Sequence, residues 1–134
     1  MNINFTFIIP HKNIPNLLIR CLRSIPRRND VQIIVVDDNS DPNIVDFDNF
    51  PGEGEPCVEV YKIRESRGAG YARNSGLKHA RGKWLLFADA DDFFEKNLES
   101  ILDSYYNSNS DIIYFRLTSV NSDTLEKSGR DNNY

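Results

Sequence analysis

Cysteine, long apolar runs and excess charge are all scarce in this chain, and each shortage excludes a class of protein. Of 134 residues, two are cysteines, Cys21 and Cys57, and without a metal-ligand spacing they favour a buried, reduced pair in a cytosolic protein. No apolar run approaches the roughly 18 residues of a membrane span, and the opening residues carry no basic group, unlike a signal peptide. Sixteen basic against twenty acidic side chains give a net charge of −4, which argues against a protein that coats nucleic acid.

The composition that remains is that of an ordinary globular domain, with 40% hydrophobic and 27% charged residues. Apolar runs and amphipathic stretches alternate along it. They predict strands at 5–9, 31–36, 57–63, 84–88 and 111–120, and helices at 14–25, 68–80 and 97–106. Pro10 ends the first predicted strand, and Asn13 is the predicted cap of the first helix. Residues 41–56, rich in proline and glycine, form a predicted loop with one short helix.

This alternation predicts an α/β fold, built on a mostly parallel sheet with helices on both faces. We expect one domain over 1–120 and a polar tail over 121–134 that is either disordered or the start of a further part of the protein. In open sheets of this kind, ligands bind beyond the carboxyl ends of the strands. The residues that follow each predicted strand are therefore the first candidates for a functional site.

Acidic clusters follow two of the predicted strands. Asp37 and Asp38 come after the second strand. Asp89, Asp91 and Asp92 come after the fourth, so a parallel sheet would bring both clusters to one edge. Two carboxylates about 5 Å apart repel by roughly 3 kcal/mol at an effective dielectric constant near 20, which a hard cation such as Mg2+ or Mn2+ with a bound diphosphate would offset. The simpler alternative is that these residues cap turns and helices, and the occurrence of clusters at two strand ends weakens it.

A glycine-rich segment precedes the fourth predicted strand and matches a dinucleotide-binding fingerprint only in part. Gly68 and Gly70 open a helix, and Asp89 ends the next strand. Arg73, however, stands at the third glycine position, where close packing needs a small residue. The segment also follows the third predicted strand rather than the first. Both departures argue against a dinucleotide site.

Four segments together resemble the family 2 glycosyltransferases, which are nucleotide-sugar-dependent enzymes with the Rossmann-like GT-A fold. They are FIIPHKN at 7–13, IIVVDDNSD at 33–41, RGAGYARNSG at 67–76 and ARGKWLLFADADD at 80–92. The last segment carries the Asp-x-Asp signature of that family. The resemblance covers residues 5–92 and implies a truncated GT-A fold, its nucleotide-sugar-binding half.

The resemblance implies a role for each matching position. Its nucleotide-binding positions are Pro10, Lys12, Asp38, Gly68, Arg73 and Asp89. Pro10 and Lys12 border the base of the nucleotide, which donates hydrogen bonds to Asp38. Gly68 and Arg73 lie in a segment that closes over the nucleotide and its diphosphate. A structural salt bridge is the alternative role for Arg73.

The resemblance also implies a divalent cation, Mn2+ or Mg2+, coordinated by Asp91 together with Asp89, which lies near the ribose. Such a cation would stabilise the negative charge that develops on a nucleoside diphosphate leaving group. Asp92 either joins this cluster or caps the following helix. The implied activity transfers a sugar, with inversion, from a nucleotide-diphospho-sugar, UDP-sugars being favoured, to a hydroxyl of a saccharide or lipid-linked acceptor. The implied setting is cell-surface polysaccharide synthesis, in the cytoplasm or at the inner face of the membrane.

The general base that this chemistry needs has no candidate with a supporting pattern. In the resembling family, the base lies well downstream of the Asp-x-Asp segment, on the acceptor side. The tail of this chain offers Asp123, Glu126 and Asp131 without such a pattern, and His11 is expected to be a loop residue rather than a catalytic group. We therefore expect a shortened piece of a transferase, a gene fragment, or a subunit. A partner, or a second copy bound at an exposed sheet edge, would supply the acceptor half.

Two other functions fit parts of the pattern. A nucleotide-binding module without transfer activity would need the donor half alone. A phospho-accepting receiver domain also places acids at strand ends, but its acid pair follows the first strand, whereas Asp37 and Asp38 follow the second. Metal-dependent nucleotide binding distinguishes a transferase from a receiver, and turnover distinguishes it from a binding module.

Overall fold

A four-stranded sheet organises the part of the chain that the computed structural model describes, residues 2–121 and 124–125. Its strands are β1 (Phe5–His11), β2 (Val31–Asp38), β3 (Val58–Ile63) and β4 (Trp84–Phe87). They lie in the order β3-β2-β1-β4, and all three neighbouring pairs are parallel. The predicted α/β fold with a mostly parallel sheet is therefore confirmed, and the strands carry their carboxyl ends to the same edge.

Helices cover both faces of this sheet. They are α1 (Pro15–Arg23), α2 (Ala69–Leu77) and α3 (Leu98–Tyr105), with a short 3-10 helix at Phe47–Asn49 inside the predicted loop. Leu18 of α1 and Leu102 of α3 belong to one buried cluster, whereas Ala72 of α2 belongs to another on the opposite face. Every residue of β1 and β2 is buried, which explains their nearly unbroken apolar runs. No helix in the described part is long and apolar enough to cross a membrane.

Helix α2 lies close to the sheet because its inner face is made of small residues. A Cβ atom added to Gly76 would lie 2.9 Å from Cγ2 of Ile8 and 3.2 Å from Cγ2 of Val36. Ala72, one turn earlier, is fully buried on the same face. This close packing fixes the start of α2, at Gly68, beside the end of β2.

A buried polar layer lies at the opposite end of the sheet, around Gln32, which interrupts the apolar run of β2. Its Oε1 accepts hydrogen bonds from Thr6 Oγ1 at 2.7 Å and from the Arg81 N–H at 2.9 Å. Its Nε2 donates to Glu59 Oε2 at 2.7 Å and to the His79 carbonyl oxygen at 2.8 Å. Because an unpaired buried amide would cost about 1–3 kcal/mol, this layer holds β1, β2 and β3 in one register.

The predicted fifth strand at 111–120 is not formed. Within the described residues, this segment shows only isolated bridge positions at Leu117 and Val120, and Ile112 and Tyr114 are 69% and 71% exposed. Intrinsic β-propensity stabilises a strand only where a neighbouring strand pairs with it. No strand of the described sheet pairs with this segment, although the outer edge of β4 is open.

The tail residues considered above as general bases, which are Asp123, Glu126 and Asp131, lie outside the described residues. Most of the predicted tail at 121–134 also lies outside them.

The ends of the first strand and the first helix also differ from prediction. Asn13 does not cap α1, because Ile14 is the N-cap residue and no side chain caps it. Asn13 instead adopts φ 59°, and its Oδ1 accepts a hydrogen bond from the Asp41 N–H at 2.7 Å. The strand β1 runs through Pro10, because β4 pairs with β1 only as far as Ile8. Beyond Ile8, no strand among the described residues pairs with this side of β1, so none requires the N–H that proline lacks.

Candidate functional site

The carboxyl edge of the sheet brings the two acidic clusters together, and helix α2 links them. At the start of α2, the Gly68 N–H donates a hydrogen bond to Asp38 Oδ2 at 3.0 Å. One turn later, Arg73 Nη2 donates to Asp89 Oδ1 at 2.6 Å. The parallel strands therefore do bring both clusters to one edge, and α2 is the element that spans them.

Asp37 is a buried structural carboxylate, 1% exposed. Its Oδ1 accepts hydrogen bonds from His11 Nδ1 at 2.8 Å and from Ser40 Oγ at 2.6 Å. The Ile14 N–H donates to His11 Nε2 at 3.1 Å, an arrangement that fits the tautomer in which Nδ1 donates to Asp37. Burial alone would raise the pKa of Asp37, but the hydrogen bonds from His11 and Ser40 hold it below its ordinary value. The expectation of a loop position for His11 is wrong, since it is the buried last residue of β1.

Asp38 is the neighbouring carboxylate, and one of its two oxygens accepts no hydrogen bond from the described residues. The residue is 5% exposed, and its Oδ1 has no hydrogen-bond partner among the described residues. A buried carboxylate oxygen without a donor is costly, and Oδ1 has the capacity to accept a further hydrogen bond. Gly68, which donates to Oδ2, has φ 90°, a backbone conformation that favours glycine.

Polar side chains from three segments meet next to Asp38. The Ser66 hydroxyl oxygen accepts hydrogen bonds from Asn39 Nδ2 at 3.0 Å and from Lys12 Nζ at 3.5 Å. Asn39 and Ser66 both adopt left-handed conformations, with φ 56° and 50°. Lys12 is therefore an exposed cation beside the site, whereas Pro10 is buried within β1.

The turn after β4 forms a compact acidic cluster. Oxygen atoms of Asp89, Asp91 and Asp92 lie within 4.8 Å of one another, and all three residues are exposed. The Asp89 N–H donates to Asp92 Oδ2 at 3.3 Å. Neighbouring protein atoms desolvate the Asp92 carboxyl group, and this desolvation, with the negative charges of Asp91 and Asp89, raises the pKa of Asp92. Carboxylate oxygens in this arrangement suit a hard divalent cation such as Mg2+ or Mn2+.

Two of the sequence alternatives can be compared with this geometry. Asp92 does not cap α3, whose N-cap residue is Asn97. The salt bridge considered for Arg73 is present, with Asp89 as its partner and with side chains 35% and 54% exposed. A guanidinium has five N–H donors, so Arg73 retains donors for a phosphate group as well.

Arg20 also contributes to the turn after β4, and the sequence did not indicate it. Its Nη2 donates to the Asp91 carbonyl oxygen at 2.8 Å, and its guanidinium lies 4.7 Å from the centre of the Phe93 ring. These contacts tie the turn to α1. Nothing in the sequence signals them, because Arg20 and Asp91 lie 71 positions apart.

Comparison with known proteins adds a family and several relatives. The family model described as "Glycosyl transferase family 2" matches residues 6–133. The chain is 32% identical over 132 residues to the poly(ribitol-phosphate) beta-glucosyltransferase of Bacillus spizizenii, an alignment that covers 92% of this chain and 20% of that protein.

Two solved structures share the architecture. TarS 1–349 of S. aureus, in complex with UDP-GlcNAc, matches with a TM-score of 0.62 and 25% identity, over 78% of this chain and 32% of that one. The mannosyltransferase PcManGT of Pyrobaculum calidifontis, in complex with GDP-Man and Mn2+, matches with a TM-score of 0.67 and 23% identity, over 81% and 34%. The chain thus spans a fifth of the curated relative's length and about a third of each solved chain.

Proposed function

Since the chain belongs to glycosyltransferase family 2, we propose that it forms the donor-binding half of a divalent-metal-dependent, inverting glycosyltransferase. Its parallel sheet with helices on both faces is the GT-A fold. The observation that carries the proposal is the buried Asp38 Oδ1, which lacks a partner among the described residues, at the same sheet edge as Asp89 and Asp91. A nucleotide-diphospho-sugar could bind at both places, because its base has N–H donors for Asp38 and its diphosphate binds a metal ion that Asp89 and Asp91 would coordinate.

The proposal assigns the base of the nucleotide to Asp38. Uracil, thymine and guanine each carry a ring N–H that can donate to Oδ1, whereas the corresponding ring nitrogen of cytosine has no hydrogen. Lys12, beside Ser66, and Pro10 border the base in this arrangement. A UDP-sugar is the favoured donor, in line with the UDP-GlcNAc complex of TarS.

The diphosphate, in this proposal, lies between the start of α2 and the acidic cluster. Gly68 and Arg73 lie where helix α2 offers N–H donors and a positive charge to phosphate oxygens. Asp91 with Asp89 would hold Mn2+ or Mg2+, which suits their hard oxygen ligands. When bound, such a cation would supply positive charge that stabilises the diphosphate as a leaving group.

We assign the donor half to residues 1–120 and propose that polypeptide beyond this half forms the acceptor side. An open cleft beside Asp91 is lined by Leu17, Phe94 and residues 115–120, and it is a candidate path to the acceptor. Leu85 and Phe87, on the edge strand β4, are 45% and 52% exposed. Further chain starting in 121–134, a partner or a second copy would cover this apolar surface and supply the general base.

The relatives suggest a biological setting for this activity. By analogy with the poly(ribitol-phosphate) beta-glucosyltransferase, we propose a saccharide or lipid-linked acceptor and a role in cell-surface polysaccharide synthesis. Nucleotide-sugars made in the cell would reach the site in the cytoplasm, at the inner face of the membrane.

A nucleotide-binding module without transfer activity is the second candidate, because the chain spans 20% of its curated relative. Turnover distinguishes this module from the proposed glycosyltransferase, because the module would bind the donor without transferring its sugar. The phospho-accepting receiver is excluded by the family membership.

Calorimetric titration of UDP, with and without Mn2+, tests the donor site. We expect Mn2+ to tighten UDP binding by about tenfold or more, and Asp91→Ala to abolish that gain. Glu95→Gln, which removes a nearby exposed negative charge outside the cluster, should leave the gain intact. Equal UDP binding with and without Mn2+ would contradict the metal site. Absence of binding for UDP, GDP and dTDP alike would overturn the donor site.

A further inference from the structure

The ion pair between Arg73 and Asp89 lies inside the cluster that the proposed function assigns to the cation, and we infer that Arg73 makes cation binding depend on the nucleotide. Without a nucleotide, Arg73 holds Asp89 and opposes a cation at the cluster. With a nucleotide, the diphosphate attracts the guanidinium and releases Asp89 to the cation. Arg73 is thus a positioning residue that acts through Asp89, an inference that rests on the proposed donor site.

The geometry of the pair supports the first half of this inference. Arg73 Nη2 and Asp89 Oδ1 are 2.6 Å apart, a short distance for a charge-assisted hydrogen bond. The contact joins α2 to the turn after β4, two elements that are separate in sequence by 16 positions. The same turn holds Asp91 and Asp92 within 4.8 Å of Asp89, so any cation bound by these oxygens has the guanidinium as a near neighbour.

Arg73 lowers the affinity of the acidic cluster for a free cation through two electrostatic effects. The guanidinium neutralises one of three carboxylates and so reduces the attraction of the cluster for a divalent cation. Its own positive charge also repels that cation. Because the Arg73 and Asp89 side chains are 35% and 54% exposed, solvent screens both effects, and the loss of cation affinity is moderate rather than complete.

A diphosphate changes this balance because it competes with Asp89 for the same guanidinium. The planar fork of arginine matches two phosphate oxygens at once, and Arg73 has N–H donors beyond the one that binds Asp89. Once Arg73 binds phosphate, the Asp89 carboxylate is available to the cation and the phosphate adds further negative charge next to the cluster. The nucleotide then raises cation affinity, and by linkage the cation raises nucleotide affinity by the same factor.

Electron paramagnetic resonance of free Mn2+ measures this coupling directly on the whole chain, without nucleotide and with saturating UDP. Protein-free mixtures provide the correction for the Mn2+–UDP complex in solution. In the wild type, we expect UDP to raise Mn2+ affinity by about tenfold or more. In Arg73→Gln, we expect Mn2+ without nucleotide to bind about five- to tenfold more tightly and the UDP effect to fall below about threefold.

Three further variants separate this role from a structural one. Arg73→Lys keeps the charge and should retain part of the coupling. Lys78→Gln removes an exposed positive charge from the end of the same helix and should leave both Mn2+ affinities at wild-type values. In an Asp89→Asn background, Arg73→Gln should raise Mn2+ affinity much less than in the wild-type background, because only the direct repulsion by Arg73 is then removed. Circular dichroism of each variant checks that it is folded, and Arg73→Lys carries the test where Arg73→Gln does not fold.

The outcomes distinguish this inference from the proposed function. If wild type and Arg73→Gln bind Mn2+ equally and show the same UDP effect, Arg73 has no coupling role and the donor site stands. If neither protein binds Mn2+, with or without UDP, both the metal site and the inference are wrong. Tighter Mn2+ binding by Arg73→Gln without nucleotide, with a clearly smaller gain in the Asp89→Asn background, supports the inference.

Discussion

At the scale of single residues, Asp37 is expected to make the free energy of unfolding depend on pH. Its pKa is lowered in the folded chain because, although burial acts to raise it, hydrogen bonds from His11 and Ser40 stabilise the charged form. A carboxyl group of this kind contributes stability above its unfolded pKa of about 3.9, and that contribution is lost as pH falls through that value toward the lower folded-state pKa. We expect Asp37→Asn to be less stable than wild type at pH 7 and to lose less stability between pH 7 and pH 3.

Free energies of unfolding in urea at these two pH values check this prediction. Asp48→Asn is the matched control, because Asp48 is exposed and lies in the short helix Phe47–Asn49, outside the Asp37 cluster. It should keep the wild-type difference between the two pH values. The same difference in wild type and Asp37→Asn would show that the Asp37 cluster does not contribute to acid sensitivity.

At the scale of elements, the distance between α2 and the sheet depends on Gly76. A Cβ there would lie 2.9 Å from Cγ2 of Ile8, and overpacking of this kind costs about 1–3 kcal/mol, against a gain in helix propensity of about 1 kcal/mol. We expect Gly76→Ala to lower the free energy of unfolding by roughly 1 kcal/mol. Gly70→Ala is the control in the same helix, since its Cβ would meet no atom within 4 Å.

Gly70→Ala should therefore stabilise the chain by up to about 1 kcal/mol, because it gains helix propensity without a clash. Urea unfolding of both variants and wild type, without nucleotide, measures the two effects. If Gly76→Ala were as stabilising as Gly70→Ala, α2 would not be held at its present distance by the small residue.

The elements also show what the sequence could predict. The buried runs of β1 and β2 were visible because a strand covered on both faces needs apolar residues throughout. The segment 111–120 has similar β-propensity, but its pairing depends on a neighbour that its own residues do not encode. Gln32 appeared as an interruption of a strand, and its role became clear only with partners from three other segments.

At the scale of the whole molecule, the candidate site was predictable where it depends on strand ends. Asp38 and Asp91 follow predicted strands, so a parallel sheet alone brings them to one edge. The link between the clusters was harder to predict, because it depends on how α2 packs: Gly68 bonds Asp38, and Arg73 bonds Asp89. Sequence patterns identify which residues follow a strand, but not which of them a helix will connect.

Because the candidate site depends on several elements, ligand binding there would require the whole fold. The proposed donor site uses β2, α2 and the turn after β4, so UDP with Mn2+ should bind the folded chain and not the unfolded one. At a ligand concentration of about 100 times Kd, the folded state gains about 2.7 kcal/mol of stability, which for a chain of 134 residues raises Tm by roughly 10 °C.

We expect this increase in Tm with UDP and Mn2+, and a much smaller one with CDP and Mn2+, because cytosine lacks the ring N–H from which Asp38 Oδ1 would accept a hydrogen bond. Asp38→Asn should narrow the difference, since its amide N–H can donate to the cytosine ring nitrogen. Thermal unfolding followed by circular dichroism, with Mn2+ alone as the baseline, measures all of these shifts, and equal shifts with UDP and CDP in the wild type would rule out recognition of the ring N–H by Asp38.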